Sequence, residues 1–84
     1  MIFDELEDGD YRIYGGAIEA RQGDGYIAAL VVDRIRNKLW AKREVFRDDA
    51  LACGHRWPCA SAALSYAMGK GRQVVSTAQS EALR

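Results

Sequence analysis

Residues 26–36 read Tyr-Ile-Ala-Ala-Leu-Val-Val-Asp-Arg-Ile-Arg. A run this rich in β-branched and aromatic residues, opened by Gly23-Asp24-Gly25, predicts an extended strand. Side chains alternate along a strand. Tyr26, Ala28, Leu30 and Val32 therefore share one face, and Ile27, Ala29, Val31 and Ile35 share the other. Both faces are apolar, which places the strand in the middle of a sheet with something covering each side.

Upstream, Tyr11 to Gln22 is a second run of β-formers, ending in Gln22-Gly23-Asp24-Gly25, where glycines supply the positive φ of a tight turn. Its alternation is broken. Tyr11 and Ile13 fall on one face and Ile18 and Ala20 on the other, so a bulge is expected at Gly15-Gly16. Downstream, a turn at Asn37-Lys38 leads into a strand over Leu39 to Asp48, with Leu39, Ala41 and Val45 on one side and Trp40 and Phe46 on the other. Lys42, Arg43 and Glu44 suit a sheet edge, where charge discourages stray pairing. After a polar loop, Pro58 stands in the first turn of a helix, and Ala60, Ala63, Leu64, Ala67 and Met68 form one apolar stripe. Gly69 or Gly71 is read as its stop, and Val74-Val75 as a short fourth strand.

The expected fold is α+β: a three-stranded antiparallel meander with one amphipathic helix on one face, in the order β-β-β-α. Residues 11–75 form the single domain, 1–10 an acidic flexible tail and 76–84 a flexible C-terminal tail. One helix covers only one face of the sheet. Either a symmetric second subunit covers the other, or small residues and tail segments do.

At 84 residues, 49% of them hydrophobic, the chain can build one core and has few apolar residues left to line a deep pocket. A surface-binding module is favoured over an enzyme. The longest apolar run, Ile27 to Val32, is far short of the ~20 residues that span a bilayer. The first ten residues carry Asp4, Glu5, Glu7, Asp8 and Asp10 and no base, the reverse of a secretory signal. With only two cysteines, the expected compartment is the cytoplasm.

The net charge is zero, but residues 1–10 sum to −5, so residues 11–84 sum to +5. Arg34, Arg36, Lys38, Lys42, Arg43 and Arg47 stand against Glu44 alone within 34–47, making that hairpin the candidate nucleic-acid surface. Trp40 is interleaved among them, and the acidic segment could fold back over the hairpin. Ordinary solubilising charge on an edge strand accounts for the same pattern.

Cys53, His55 and Cys59, with Asp48 or Asp49, are the only zinc-like cluster, but the paired C-x-x-C signature is absent and no metal or other cofactor is expected. Cys59 near a helix N-terminus would have a lowered pKa, with His55 as the one histidine available as base; the plainer reading makes it a small buried hydrophobe. Asp48-Asp49 reads as a turn. Gly69-Lys70-Gly71 follows a helix instead of opening one, unlike a phosphate loop.

Gly25-Tyr26 opening the second predicted strand, and an alanine-rich helix closing on Gly69-Lys70-Gly71-Arg72, resemble small uncharacterised proteobacterial proteins with a β-β-β-α core, over residues 11–75. The resemblance implies a fold and no activity. Double-stranded-RNA-binding domains are similar in three strands and a last helix, but Pro58-Cys59-Ala60-Ser61 stands where they carry lysines. HicB-type antitoxins are similar at Gly25-Tyr26-Ile27-Ala28, but Val32-Asp33-Arg34 replaces their signature. The function these observations favour is a small non-catalytic protein-interaction module, self-associating through the open sheet face. The alternatives are weak nucleic-acid binding through the basic hairpin and thiol-dependent catalysis at Cys59.

Overall fold

Tyr26–Arg36 is strand β3, a central strand of an antiparallel sheet in a computed structural model that describes residues 2–36 and 41–82. The expectations for Asn37, Lys38, Leu39 and Trp40 lie outside the described residues, as do the side chains of Arg36, Ala41 and Lys42. β1 (Ile2–Asp8), β2 (Tyr11–Glu19), β3 and β4 (Ala41–Asp48) form a meander in chain order. A short turn of helix, α1 (Leu51–Gly54), leads to β5 (Arg56–Trp57), which pairs with Tyr26 and Ile27 at the start of β3. The long helix α2 (Ala60–Ala82) packs on β2 and β3 and, less extensively, on β1. The protein is thus α+β, a four-stranded antiparallel meander with one long helix on one face; β5 adds a short strand to the sheet, and β1 adds one to the predicted meander. No described helix is long and apolar enough to cross a membrane.

Strand β1 corrects the reading of residues 1–10 as a tail. Residues 2–8 pair with β2 over their whole length, from Ile2↔Ala17 to Asp8↔Tyr11, through a two-residue connection in which Gly9 supplies the positive φ (59°). Backbone pairing, with Leu6 packed against the core, holds a strand whose side chains are mostly acidic. Three further expectations change. Gly15-Gly16 carries no bulge: β2 pairs without interruption on both sides, and the register shift falls instead in the β3–β4 ladder, where Val32 pairs with Phe46 and Asp33 with Glu44, leaving Val45 as the extra residue. Neither Gly69 nor Gly71 stops the helix, and Val74-Val75 is no strand, because the apolar stripe runs on through Gly71, Val74, Val75 and Ala78. Residues 76–82 continue that helix where a tail was expected.

The core lies between α2 and one sheet face. Ile13, Ala17, Ala28, Leu30 and Val32 are buried there beneath Ala63, Ala67 and Val75, with Leu51 of α1 closing one end. Small helix residues allow close approach, and Gly71 allows the closest: a Cβ at this position would overlap Ile13 and stand 3.1 Å from Leu30 Cδ1. Gly15 does the same from the sheet side, where a Cβ would stand 2.6 Å from Met68 Sδ.

The two helix glycines make a paired prediction. Gly69 faces open space and Gly71 faces the sheet. Gly69→Ala is expected to stabilise the fold by about 0.5–1 kcal/mol through helix propensity. Gly71→Ala gains the same propensity but is expected to be net destabilising by about 1–3 kcal/mol, as overpacking is. Urea unfolding followed by circular dichroism at one protein concentration checks both signs.

Candidate functional site

The face of the sheet opposite α2 has no covering element among the described residues. Alternation along β3 turns Ile27, Ala29, Val31 and Ile35 toward it, and all four are half-buried. β2 adds Tyr14 and Ile18, and β1 adds Phe3, which is 72% exposed. Gly16 lies beside Phe3 in the register, and the phenyl ring covers the space its missing side chain leaves. The result is a broad apolar face that antiparallel sheets normally reserve for packing.

Charges flank and cross this face in an ordered way, and one charged row separates Ile35 from Val31. The pairings Glu5↔Tyr14, Tyr14↔Val31 and Val31↔Arg47 define one row across all four strands: acid, aromatic, aliphatic, base. The next row is Glu7, Arg12, Asp33 and Glu44, in which Glu7 and Arg12 form an ion pair. Arg47 Nε donates to Glu44 Oε1 at 2.5 Å and Nη1 lies 3.5 Å from Asp49 Oδ1. The hydrogen bond and charge of Glu44, with a smaller contribution from Asp49, raise the Arg47 pKa, so that cation is held and partly neutralised.

The basic hairpin is not one patch. Strand alternation sends Arg34 and Arg43 to the helix side, directly opposite each other in the register, and Arg47 to the open side with Val31. Arg36 pairs with Ala41 and Lys42 with Ile35, so their register positions are likewise on opposite faces; Lys38 lies outside the described residues. Arg34 sets its guanidinium 5.9 Å from the centre of the Tyr11 ring. The acidic segment does not cover this hairpin, since β1 and β4 are opposite edges of the meander, about 14 Å apart at ordinary strand spacing.

A second concavity lies between β4 and α2, where the helix stops short of covering the edge strand. This groove, of 390 Å³, is lined by Val45, Phe46, Lys70, Gln73, Val74, Thr77 and Ala78. It is open and mixed in polarity.

At the other end of α2, Cys59 precedes the first helical residue and its carbonyl accepts from the Ala63 amide. Its Sγ lies 3.3 Å from Ser61 Oγ. That hydrogen bond first, then the backbone amides of Ala62 and Ser61, lower the thiol pKa. Cys59 is exposed, where the sequence reading buried it, and Cys53 is exposed too; both are free thiols. His55 packs edge-on against Trp57, ring centres 4.6 Å apart, and Trp57 packs in turn on Tyr66. No hydrogen bond joins His55 to Cys59 among the described residues, so the thiol has a favourable environment for its anion and no base. No three His, Cys, Asp or Glu side chains among the described residues are placed to hold a metal ion. Asp48 Oδ1 accepts from the Ala50 amide at 3.0 Å, within the turn that follows β4.

No family model matches this sequence, and comparison with curated proteins and with solved structures gives no match.

The Cys59 geometry has a direct readout. In a Cys53→Ser background, the pH–rate profile of iodoacetamide alkylation is expected to lie below that of a cysteine in an unstructured peptide. Ser61→Ala, which removes the largest contribution, is expected to move it back up.

Proposed function

We propose that this chain is a small non-catalytic protein-interaction module that docks through the open face of its sheet. The observation that carries the reading is the two-sided apolar character of β3. Ala28, Leu30 and Val32 are fully buried under α2, while Ile27, Ala29, Val31 and Ile35 meet no covering element among the described residues. The exposed Phe3 beside them is the kind of aromatic anchor that interfaces bury. The reading is non-catalytic because the best candidate nucleophile, Cys59, has no hydrogen bond to His55 among the described residues, and because the groove between β4 and α2 is open and is lined by Lys70 as its one titratable side chain.

The test compares solvent access with mass. A soluble gadolinium chelate is added to methyl-labelled protein, and broadening at Ile18, Ile27, Val31 and Ile35 is compared with Leu30 and Val32. Sedimentation is run on the same sample. Broadening of the first group, or protection that accompanies a mass above the monomer, supports docking through this face. Protection equal to that of Leu30 in a particle of monomer mass means the chain covers the face itself, and the reading falls.

Nucleic-acid binding remains a second reading because of one observation: Arg34 and Arg43 stand opposite each other, a like-charge pair that costs stability in a sheet unless something anionic offsets it. Under the leading reading, amide shifts of Arg34, Arg43 and Arg47 stay unchanged when short RNA or DNA duplexes are added at low salt. Shifts there that fade as salt rises would exchange the order of the two readings.

A further inference from the structure

We infer that the partner seated on the open face is a second copy of this chain, related by a two-fold axis parallel to the strands, so that β1 of each copy lies over β4 of the other. The inference rests on the docking role proposed for that face and names its occupant and orientation.

Area comes first. Four strands at about 4.8 Å spacing and about eight residues long at about 3.4 Å each give a face on the order of 500 Å². Two such faces bury on the order of 1,000 Å², which meets the lower bound for a specific interface. A self-complementary contact needs nothing beyond the surface already present.

Charge then selects the orientation. A two-fold axis lying between face-packed sheets can run across the strands or along them. Across them, it stacks β1 on β1 in the reverse direction, so that the acidic edge lies over the acidic edge of the second copy. Along them, it reverses each cross-strand row, and the row Glu5, Tyr14, Val31, Arg47 becomes its own complement. Glu5 then faces Arg47 of the second copy, twice, while Tyr14 and Val31 stack across the dry centre. In the following row Arg12 comes over Asp33 of the second copy. Glu7 comes over Glu44, but each of these already has an arginine partner in its own chain. Aligned sheet packing turns the two copies by about 30°, an offset at the edges that Glu and Arg side chains can reach across. The acidic segment thus reaches the basic hairpin in trans, where the sheet forbids it in cis.

The rival arrangement joins the acidic edge β1 to the basic edge β4 of the next copy in one continuous sheet. That contact is heterologous and does not close, so it produces chains of growing mass.

Sedimentation of the full chain over about a hundredfold range of concentration tests the proposal. The wild type is expected to show a reversible monomer–dimer equilibrium. Val31→Glu, at the centre of the face, is expected to be folded by circular dichroism and monomeric. Glu5→Lys and Arg47→Glu are each expected to weaken self-association about tenfold or more, since each places like charges together in its own dimer. Mixed in equal amounts, those two variants are expected to form a heterodimer within about threefold of wild-type affinity, because every reversed charge then meets its opposite. Recovery on mixing also shows that both variants are folded. A wild type monomeric throughout, or growing past the dimer, overturns the second copy as occupant while the methyl-broadening test still decides whether the face docks at all. A dimer that survives Val31→Glu places the contact elsewhere and overturns the inference. A dimer lost with Val31→Glu but indifferent to both single charge reversals overturns the orientation.

Discussion

The contact of Gly71 with Ile13 and Leu30 sets the layout of this protein. A glycine inside a helix lowers helix stability by about 1 kcal/mol relative to alanine, and it is retained at a position where the helix backbone approaches the sheet closely. Met68 occupies the complementary space over Gly15. These two contacts centre α2 on β2 and β3, with Ala63 and Ala67 continuing the close approach. A helix of twenty-three residues, about 35 Å long, has then spent its apolar stripe on one face. What the helix does not reach follows from that placement: the groove beside β4 and the whole opposite face.

The two faces of β3 carry similar side chains and have different fates. Burial of a Val, Leu or Ile side chain is worth about 1.5–3 kcal/mol relative to exposure. On the helix side that gain is realised within the chain. On the open side it is realised only in part, and the remainder becomes available when another surface covers Ile27, Val31 and Ile35. A sheet built only for its own stability would alternate apolar and polar residues here. Asp33 is the only charged residue between Ile27 and Ile35 on this side, so β3 departs from that pattern along most of its length.

Much of the fold was legible because alternation and helical spacing are local. The apolar faces of β3, the edge character of β4 and the stripe from Ala60 to Met68 all follow from side-chain periodicity. Where structure and sequence differ, one cause recurs: a residue's local preference is not its role in the fold. Acidic residues in 2–8 read as a tail, although Gly9-Asp10 is a two-residue hairpin signal and Leu6 offers an inward residue. Glycines read as helix stops, although Gly71 continues the spacing of the stripe and leads to Val74, Val75 and Ala78. The glycine pair predicts a bulge, whereas the residue that breaks register is Val45, which no local signal marks. The open face was legible as a consequence of counting one helix against two apolar faces; the row that borders it was not, because it depends on the register of three strand pairings.

Charge is where chain order misleads most. Six cations within 34–47 suggest a continuous positive surface, but a two-residue period divides a hairpin's side chains between opposite faces of the sheet. Arg34 and Arg43 stand beside Tyr11 and Val32 on the helix side, and Arg47 stands with Val31 on the other. The same geometry acts in the opposite direction on Glu5 and Arg47. They are far apart in sequence and on opposite sheet edges, yet the register puts them at the two ends of one row with only Tyr14 and Val31 between. A polyanion tracking the hairpin meets cations on two surfaces, only one of which faces a given strand at a time. A surface that carries its own reversed charge order meets complementary charge at both ends of that row at once. That difference in simultaneous pairing, set by strand alternation and register, is the physical reason for placing self-association ahead of nucleic-acid binding.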